Sequence, residues 1–169
     1  MKKVLNIKYR GFTLIELLVS ITVFVLVFLA AIGIFTYSMK GKMRVNQLKE
    51  IEDNARYAME MMSREIRMAK SIDSNEADTF DSEIDFTNSD GDSITYAYDI
   101  NKDCLTRNSS CITSDKVNVG NLIFYVNDFD LINNPQPRVT ISMTIASTAD
   151  TSVNMGFQTS ISPKIYKKP

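Results

Sequence analysis

From Phe12 to Met39 the chain reads FTLIELLVSITVFVLVFLAAIGIFTYSM, an apolar run with one charged position, Glu16. At about 1.5 Å rise per residue, roughly 20 residues cross the hydrocarbon layer as a helix, so this run spans with length to spare. After Met39 the pattern changes but helix formers continue, and no proline interrupts them before Pro135. Apolar residues Val45, Leu48, Ile51, Ala55, Ala58, Met62, Ile66 and Ala69 recur at spacings of three and four, the stripe of an amphipathic helix. Glu52 with Arg56 and Glu60 with Arg64 fall at i and i+4, where opposite charges each add a few tenths of a kcal/mol. One helix from about Phe12 to about Lys70 is predicted, roughly 85 Å long. From about Ser71 the composition turns to Asp, Ser, Asn and Thr. Turn signals at NSDGDS, NSS and NNPQP separate the β-rich runs SEIDFTN, SITYAYDI, NLIFYVNDFDLI, RVTISMTIAST and VNMGFQTSIS; alternation in SITYAY and VTISMTI predicts strands with one wet and one dry face.

These patterns predict an α+β chain in four parts: residues 1–11 as a basic leader, 12–39 as the membrane-spanning half of the long helix, 40–70 as its amphipathic half, and 71–169 as an antiparallel β-sheet domain packed on the stripe. Gly33 and Gly41 are the weak points of the helix, each about 1 kcal/mol less favourable than alanine. Met59, Met61, Met62 and Met68 are read as adaptable packing rather than a ligand set, because unbranched thioethers fill irregular gaps.

Charge then sets the orientation. The leader holds Lys2, Lys3, Lys8 and Arg10 with no acid, the mark of a cytoplasmic flank. Lys40, Lys42 and Arg44 beyond the run are also basic, so the greater number of cations in the leader and its shortness decide for an amino terminus inside. The run is too long for a secretory signal, whose apolar region is about 7 to 15 residues. Glu16 separates it from a plain anchor: an acid in a spanning helix costs about 2.5 kcal/mol or more at the bilayer centre and needs a partner or a route to the interface.

The remaining composition mostly excludes. Lys and Arg number 19 against 20 Asp and Glu, a formal charge of −1, so no global field draws nucleic acid, and no direct nucleic-acid contact is expected. Histidine is absent, which removes the commonest general base and metal ligand. No nucleophile and base pair stands out, and the chain is read as a non-enzyme with no cofactor. DFTNSDGDS gathers Asp85, Asn88, Asp90 and Asp92, hard oxygen ligands for calcium. The spacing fails the EF-hand loop, and a tight hairpin turn with Gly91 at positive φ is the better account. Cys104 and Cys111, with six residues between them, either close a small loop in an oxidising compartment or stay as two free thiols. With the sheet outside the membrane the bridge becomes plausible, and a ring of that size contributes about 2 to 3 kcal/mol.

RGFTLIELLVSITVF resembles the amino-terminal signature of type IV prepilins and type II secretion pseudopilins: a short basic leader ending in glycine, an aromatic, and a glutamate five residues into the mature chain. Gly11, Phe12 and Glu16 match position by position. The resemblance implies a type IV pilin-like fold. It also implies that a prepilin peptidase cuts between Gly11 and Phe12 on the cytoplasmic side and methylates the new amine of Phe12. Glu16 would then meet the amino terminus of a neighbouring subunit during assembly. RYAMEMMSREIRMA, SDGDSITYAYD, CLTRN and FQTSISPKIY are similar to J-type minor pilins and pseudopilins, including the PilW-like group, although the ending departs from that pattern. Many pilins of this resemblance carry a helix breaker mid-segment, a part only Gly33 could take here. The expected function is that of a minor pilin priming assembly or capping the tip, held in the inner membrane by a single pass and then displayed on a filament. A minor pseudopilin of type II secretion and a filament-displayed adhesin are the alternatives. The implied partners are prepilin peptidase, other minor and major pilins or pseudopilins, the inner-membrane assembly platform and membrane lipid.

Overall fold

A computed structural model describes residues 11–73, 80–127 and 138–164. The four leader cations, the DFDLI end of the run that begins at Asn121, and the NNPQP turn with Pro135 lie outside the described residues. Among the described residues a single helix, α1 (Leu14–Arg67), is followed by nine strands: β1 (Ser71–Asp73), β2 (Phe80–Asp81), β3 (Glu83–Thr87), β4 (Ser93–Asp99), β5 (Cys104–Arg107), β6 (Ser110–Cys111), β7 (Val117–Asn127), β8 (Arg138–Ser147) and β9 (Asn154–Ile161). The chain divides into two units, Met1–Met43 and Arg44–Pro169. In the first, every described residue is solvent-exposed. The second contains every residue of the hydrophobic core, so it has the means to fold without the first.

Within that second unit the helical stripe does what its period predicts. Ile51, Ala55, Ala58, Met62 and Ile66 are fully buried and Ala69 nearly so; full burial of an Ile or Met side chain stabilises by roughly 1.5–3 kcal/mol. The stripe starts later than its sequence pattern, with Leu48 partly packed and Val45 63 % exposed. Of the methionines, Met62 is in the core and Met59 packs against it, while Met68 is exposed. The Glu52–Arg56 pair forms at 2.9 Å. The expected Glu60–Arg64 pair does not: among the described residues no ion pair joins them, and an exposed pair gains too little to hold two long side chains in one geometry.

The strands are antiparallel throughout, as the alternation suggests, but they divide into two sheets rather than one: β1-β3-β4-β5-β6 and β2-β7-β8-β9. In β3, Ile84 and Phe86 face the core, and in β4, Ile94 and Tyr96 do so; the Phe86 and Tyr96 rings stack with centroids 6.0 Å apart. Strand β7 begins at Val117, four residues before the run expected from Asn121. Between Gly120 and Ile123 its register against β8 shifts, so that Asn121 and Leu122 oppose Met143. This is a β-bulge, with Asn121 at φ 49°. The bulge reverses the alternation. Val117 and Val119 before it and Leu122 and Phe124 after it all reach the core, which an uninterrupted period of two could not achieve.

The β3–β4 connection settles the acidic stretch. The Asn88 side-chain oxygen accepts the backbone N–H groups of Asp90, Gly91 and Asp92 at 2.8 to 2.9 Å, and Gly91 sits at φ 99°. This is a hairpin turn held by one asparagine, as expected for Gly91. Asp85 is engaged by the Thr95 hydroxyl, and among the described residues no group of three or more Cys, Asp or Glu side chains is placed to hold a metal ion.

Candidate functional site

The residues singled out by their chemistry fall in two places, one in each unit. In the first unit the helix begins at a specific cap. Thr13 precedes Leu14, its carbonyl accepts the N–H of Leu17 at 3.2 Å, and its hydroxyl accepts the N–H of Glu16 at 3.3 Å. Thr13 is therefore the N-cap and Glu16 the third helical residue, the T-x-x-E order of a capping box. Sequence reasoning passed over Thr13, although that four-residue pattern was its signal. Glu16 lies in the first turn, where the positive end of the helix dipole favours an acid. Among the described residues its carboxylate has no partner.

Gly11 and Phe12 sit just outside the cap, both exposed, with Phe12 at 74 %. Among the described residues a Cβ built on Gly11 would meet nothing within 4 Å, so their packing does not ask for glycine there. The helical surface that follows is largely apolar and is uncovered from Leu14 to Met43, and three of its hydroxyls turn inward to the helix backbone. Ser20 donates to the carbonyl of Glu16 at 2.7 Å, Thr22 to Val19 at 2.8 Å and Thr36 to Gly33 at 3.0 Å. Donors satisfied in this way do not face hydrocarbon unpaired. The helix runs unbroken through Gly33.

In the second unit, Cys104 and Cys111 are joined by a disulfide with Cα atoms 5.8 Å apart. They belong to a hairpin, β5–β6, that the sequence had as a loop. Arg107 pairs with Ser110 across it, and Asn108 and Ser109 at the tip both take positive φ, 49° and 66°, the geometry a two-residue hairpin turn requires. Strand β5 also pairs with β4, so the hairpin extends the five-stranded sheet.

That hairpin carries a contact with α1 that no motif announced. The Glu65 Oε2 accepts the Tyr96 hydroxyl at 2.8 Å and the Arg107 Nε–H at 3.0 Å, with the Glu65 and Arg107 side chains only 20 % and 29 % exposed. Two further ties join the helix to the segment before β7: Asn54 accepts the Ser114 N–H at 2.9 Å, and Lys116 pairs with Glu50 at 2.9 Å. Burial pushes the Tyr96 phenol well above its ordinary value, and the hydrogen bond to Glu65 and that group's negative charge add to the effect against the opposing charge of Arg107. The Arg107 guanidinium is likewise raised by its bond to Glu65.

A raised phenol means that the folded chain holds the proton more tightly than the unfolded one. Its stabilising contribution is complete below the ordinary value of 10.0 and is lost as pH rises above it, by up to about 1.4 kcal/mol per pH unit for one group. Urea unfolding of residues 44–169 should therefore weaken between about pH 9 and about pH 11, settings chosen around the ordinary phenol value. Tyr96→Phe should reduce that loss, the Tyr98 phenol, raised by its hydrogen bond to Asp103, keeping part of it; an unchanged slope in the variant would assign the loss to other groups.

Residues 6–32 match the family described as the prokaryotic N-terminal methylation motif. No match was found among curated proteins or among solved structures. The matched segment includes Gly11, Phe12, Thr13, Glu16 and the first part of the exposed apolar helix. It supports a type IV pilin or pseudopilin, and the long helix with antiparallel sheets is the corresponding α+β, type IV pilin-like arrangement. The motif implies processing by prepilin peptidase and assembly with other pilins. It suggests anchoring in a membrane and a structural subunit rather than an enzyme.

Proposed function

We propose that this chain is the precursor of a J-type minor pilin of a type IV pilus, priming filament assembly or occupying its tip. Prepilin peptidase cuts between Gly11 and Phe12 on the cytoplasmic side and methylates the amine it creates, removing residues 1–11. Residues 12–39 remain as the inner-membrane anchor and later as the filament core, and residues 40–70 carry the β domain on the far side of the membrane. The observation that carries this reading is the methylation motif lying over a helix whose apolar surface is wholly exposed. Two features support its details. Gly11 has no reason among the described residues to lack a side chain, which fits a residue presented backbone-first to a protease cleft. The Cys104–Cys111 disulfide suits an oxidising compartment outside the cytoplasm.

Intact-mass measurement of the protein extracted from membranes tests the reading directly. The expected species lacks residues 1–11 and carries one added methyl group, localised to Phe12 by fragmentation. A full-length chain, or one cut elsewhere, would overturn it.

A further inference from the structure

From Thr151 to Ser162 the chain carries no charged residue and no proline. Within that stretch lies β9, the last strand in the order β2-β7-β8-β9, so among the described residues only one of its edges is paired. The ladder tells which backbone groups the other edge presents. The Ser147 N–H donates to the carbonyl of Val153 at 2.9 Å, the register from there to Ile161 is unbroken, and antiparallel bonding alternates residue by residue. Met155, Phe157, Thr159 and Ile161 therefore bond to β8. The N–H and C=O groups of Asn154, Gly156, Gln158 and Ser160 point the other way, these residues are exposed, and among the described residues those N–H groups have no partner.

Proteins usually blunt such an edge with charges, a proline, a bulge or a cover. Strand β9 has no charge, no proline and no bulge. Beside it runs an open groove in which Val45, Leu48 and Met155 are flanked by the charged Lys49, Glu52, Asp53 and Arg56 of α1, with Val45 63 % and Met155 39 % exposed. The hydrogen-bonding edge accepts a strand. The groove favours a strand whose alternate side chains are apolar on the Met155 face and polar on the Gln158 face.

A second copy of β9 is a poor occupant. Antiparallel pairing of β9 with itself needs a two-fold axis perpendicular to the sheet, which reverses every direction in the sheet plane, including that of α1 residues 44–67 packed on it. Arg44, where the second unit begins, would then lie at opposite ends of the pair, whereas the proposed anchoring has both chains enter one membrane. Parallel pairing would set the apolar face of one copy beside the polar face of the other. We infer that the open edge of β9 is completed by an extended segment of a different protein in the same assembly, added as a fifth strand to this sheet. The choice of a different protein rests on the anchored-subunit reading above; the open edge does not.

The test uses residues 44–169 and, as a probe strand, the synthetic peptide RVTISMTIAS, the sequence of β8, which already has the required alternation. In the free protein the amides of Asn154, Gly156, Gln158 and Ser160 should exchange at least tenfold faster than those of Met155, Phe157, Thr159 and Ile161, and the peptide should slow the first set at least tenfold. Gln158→Pro removes one outward N–H, a position where a strand tolerates proline; it should keep the melting temperature and lose the peptide effect. Outward amides already protected in the free monomer, a peptide that leaves them unchanged, or full peptide protection in Gln158→Pro would each overturn the open edge. A stable dimer protecting the same amides by sedimentation would overturn the choice of partner. Any of these results beside a correctly cut and methylated precursor would leave the proposed function standing.

Discussion

Glu16→Ala is expected to leave the leader cut and Phe12 methylated while reducing recovery of the subunit in sheared filaments by at least tenfold relative to its membrane pool. The argument begins with the helix surface, which is apolar and exposed along the whole first unit and so must be covered by lipid or by other helices. Glu16 has no partner for its carboxylate among the described residues. In the proposed processing, a cut after Gly11 would give each subunit an amine at Phe12, four residues away. In a bundle of low dielectric, a lone charge of either sign costs about 3–5 kcal/mol relative to a pair, enough by itself to govern recruitment. The competing explanation is local: Glu16 is the third residue of a capping box headed by Thr13. Its interaction with the helix dipole is worth only about 0.3–1 kcal/mol, at most roughly a fivefold effect and too little for a tenfold loss. Glu16→Gln keeps the size and hydrogen-bonding capacity of the side chain and removes its charge; it should fail as alanine does, a loss larger than the dipole interaction alone allows. Normal incorporation of both variants would sink the assembly role.

The amino-terminal site was legible in the sequence because its chemistry is contiguous. Gly11, Phe12 and Glu16 lie within six residues and inside the matched motif, so no folding is needed to bring them together. The buried stripe from Ile51 to Ala69 was legible for a related reason: the helical period depends on neighbours three and four apart. What the sequence withheld depends on distant partners. Phe80 and Asp81 pair with β7, whereas the nearby strand β3 pairs with β1 and β4, and nothing local distinguishes the two sheets. The bulge at Asn121 reads as a turn signal, Gly-Asn, until β8 is laid beside it. Glu65 looked like one more exposed charge on a helix, and it gains its role only when Tyr96 and Arg107, 31 and 42 residues later, arrive from β4 and β5.

The second large effect contrasts two adjacent helix positions. Ala58→Asp should prevent residues 44–169 from folding, or bring them close to that limit, whereas Tyr57→Asp should change stability by no more than about 0.5 kcal/mol beyond helix propensity. Residue size suggests the reverse, because tyrosine offers far more apolar surface than alanine. The structure decides it: Ala58 is 0 % exposed and Tyr57 is 55 % exposed, a difference made by the roughly 100° turn between successive helical residues. Ala58 belongs to the core cluster with Ile51, Ala55 and Met62. An aspartate there introduces a larger side chain into filled space and a carboxylate with no cation, at a cost of several kcal/mol against a domain stability of about 5–15 kcal/mol. Intrinsic helix propensity accounts for no more than about 0.7 kcal/mol at either site, so the contrast measures burial. Soluble yield and thermal melting by circular dichroism read both variants. Comparable melting of the two would mean that α1 does not seat Ala58 against the sheets, and the packing that carries the β domain on the helix would have to be redrawn.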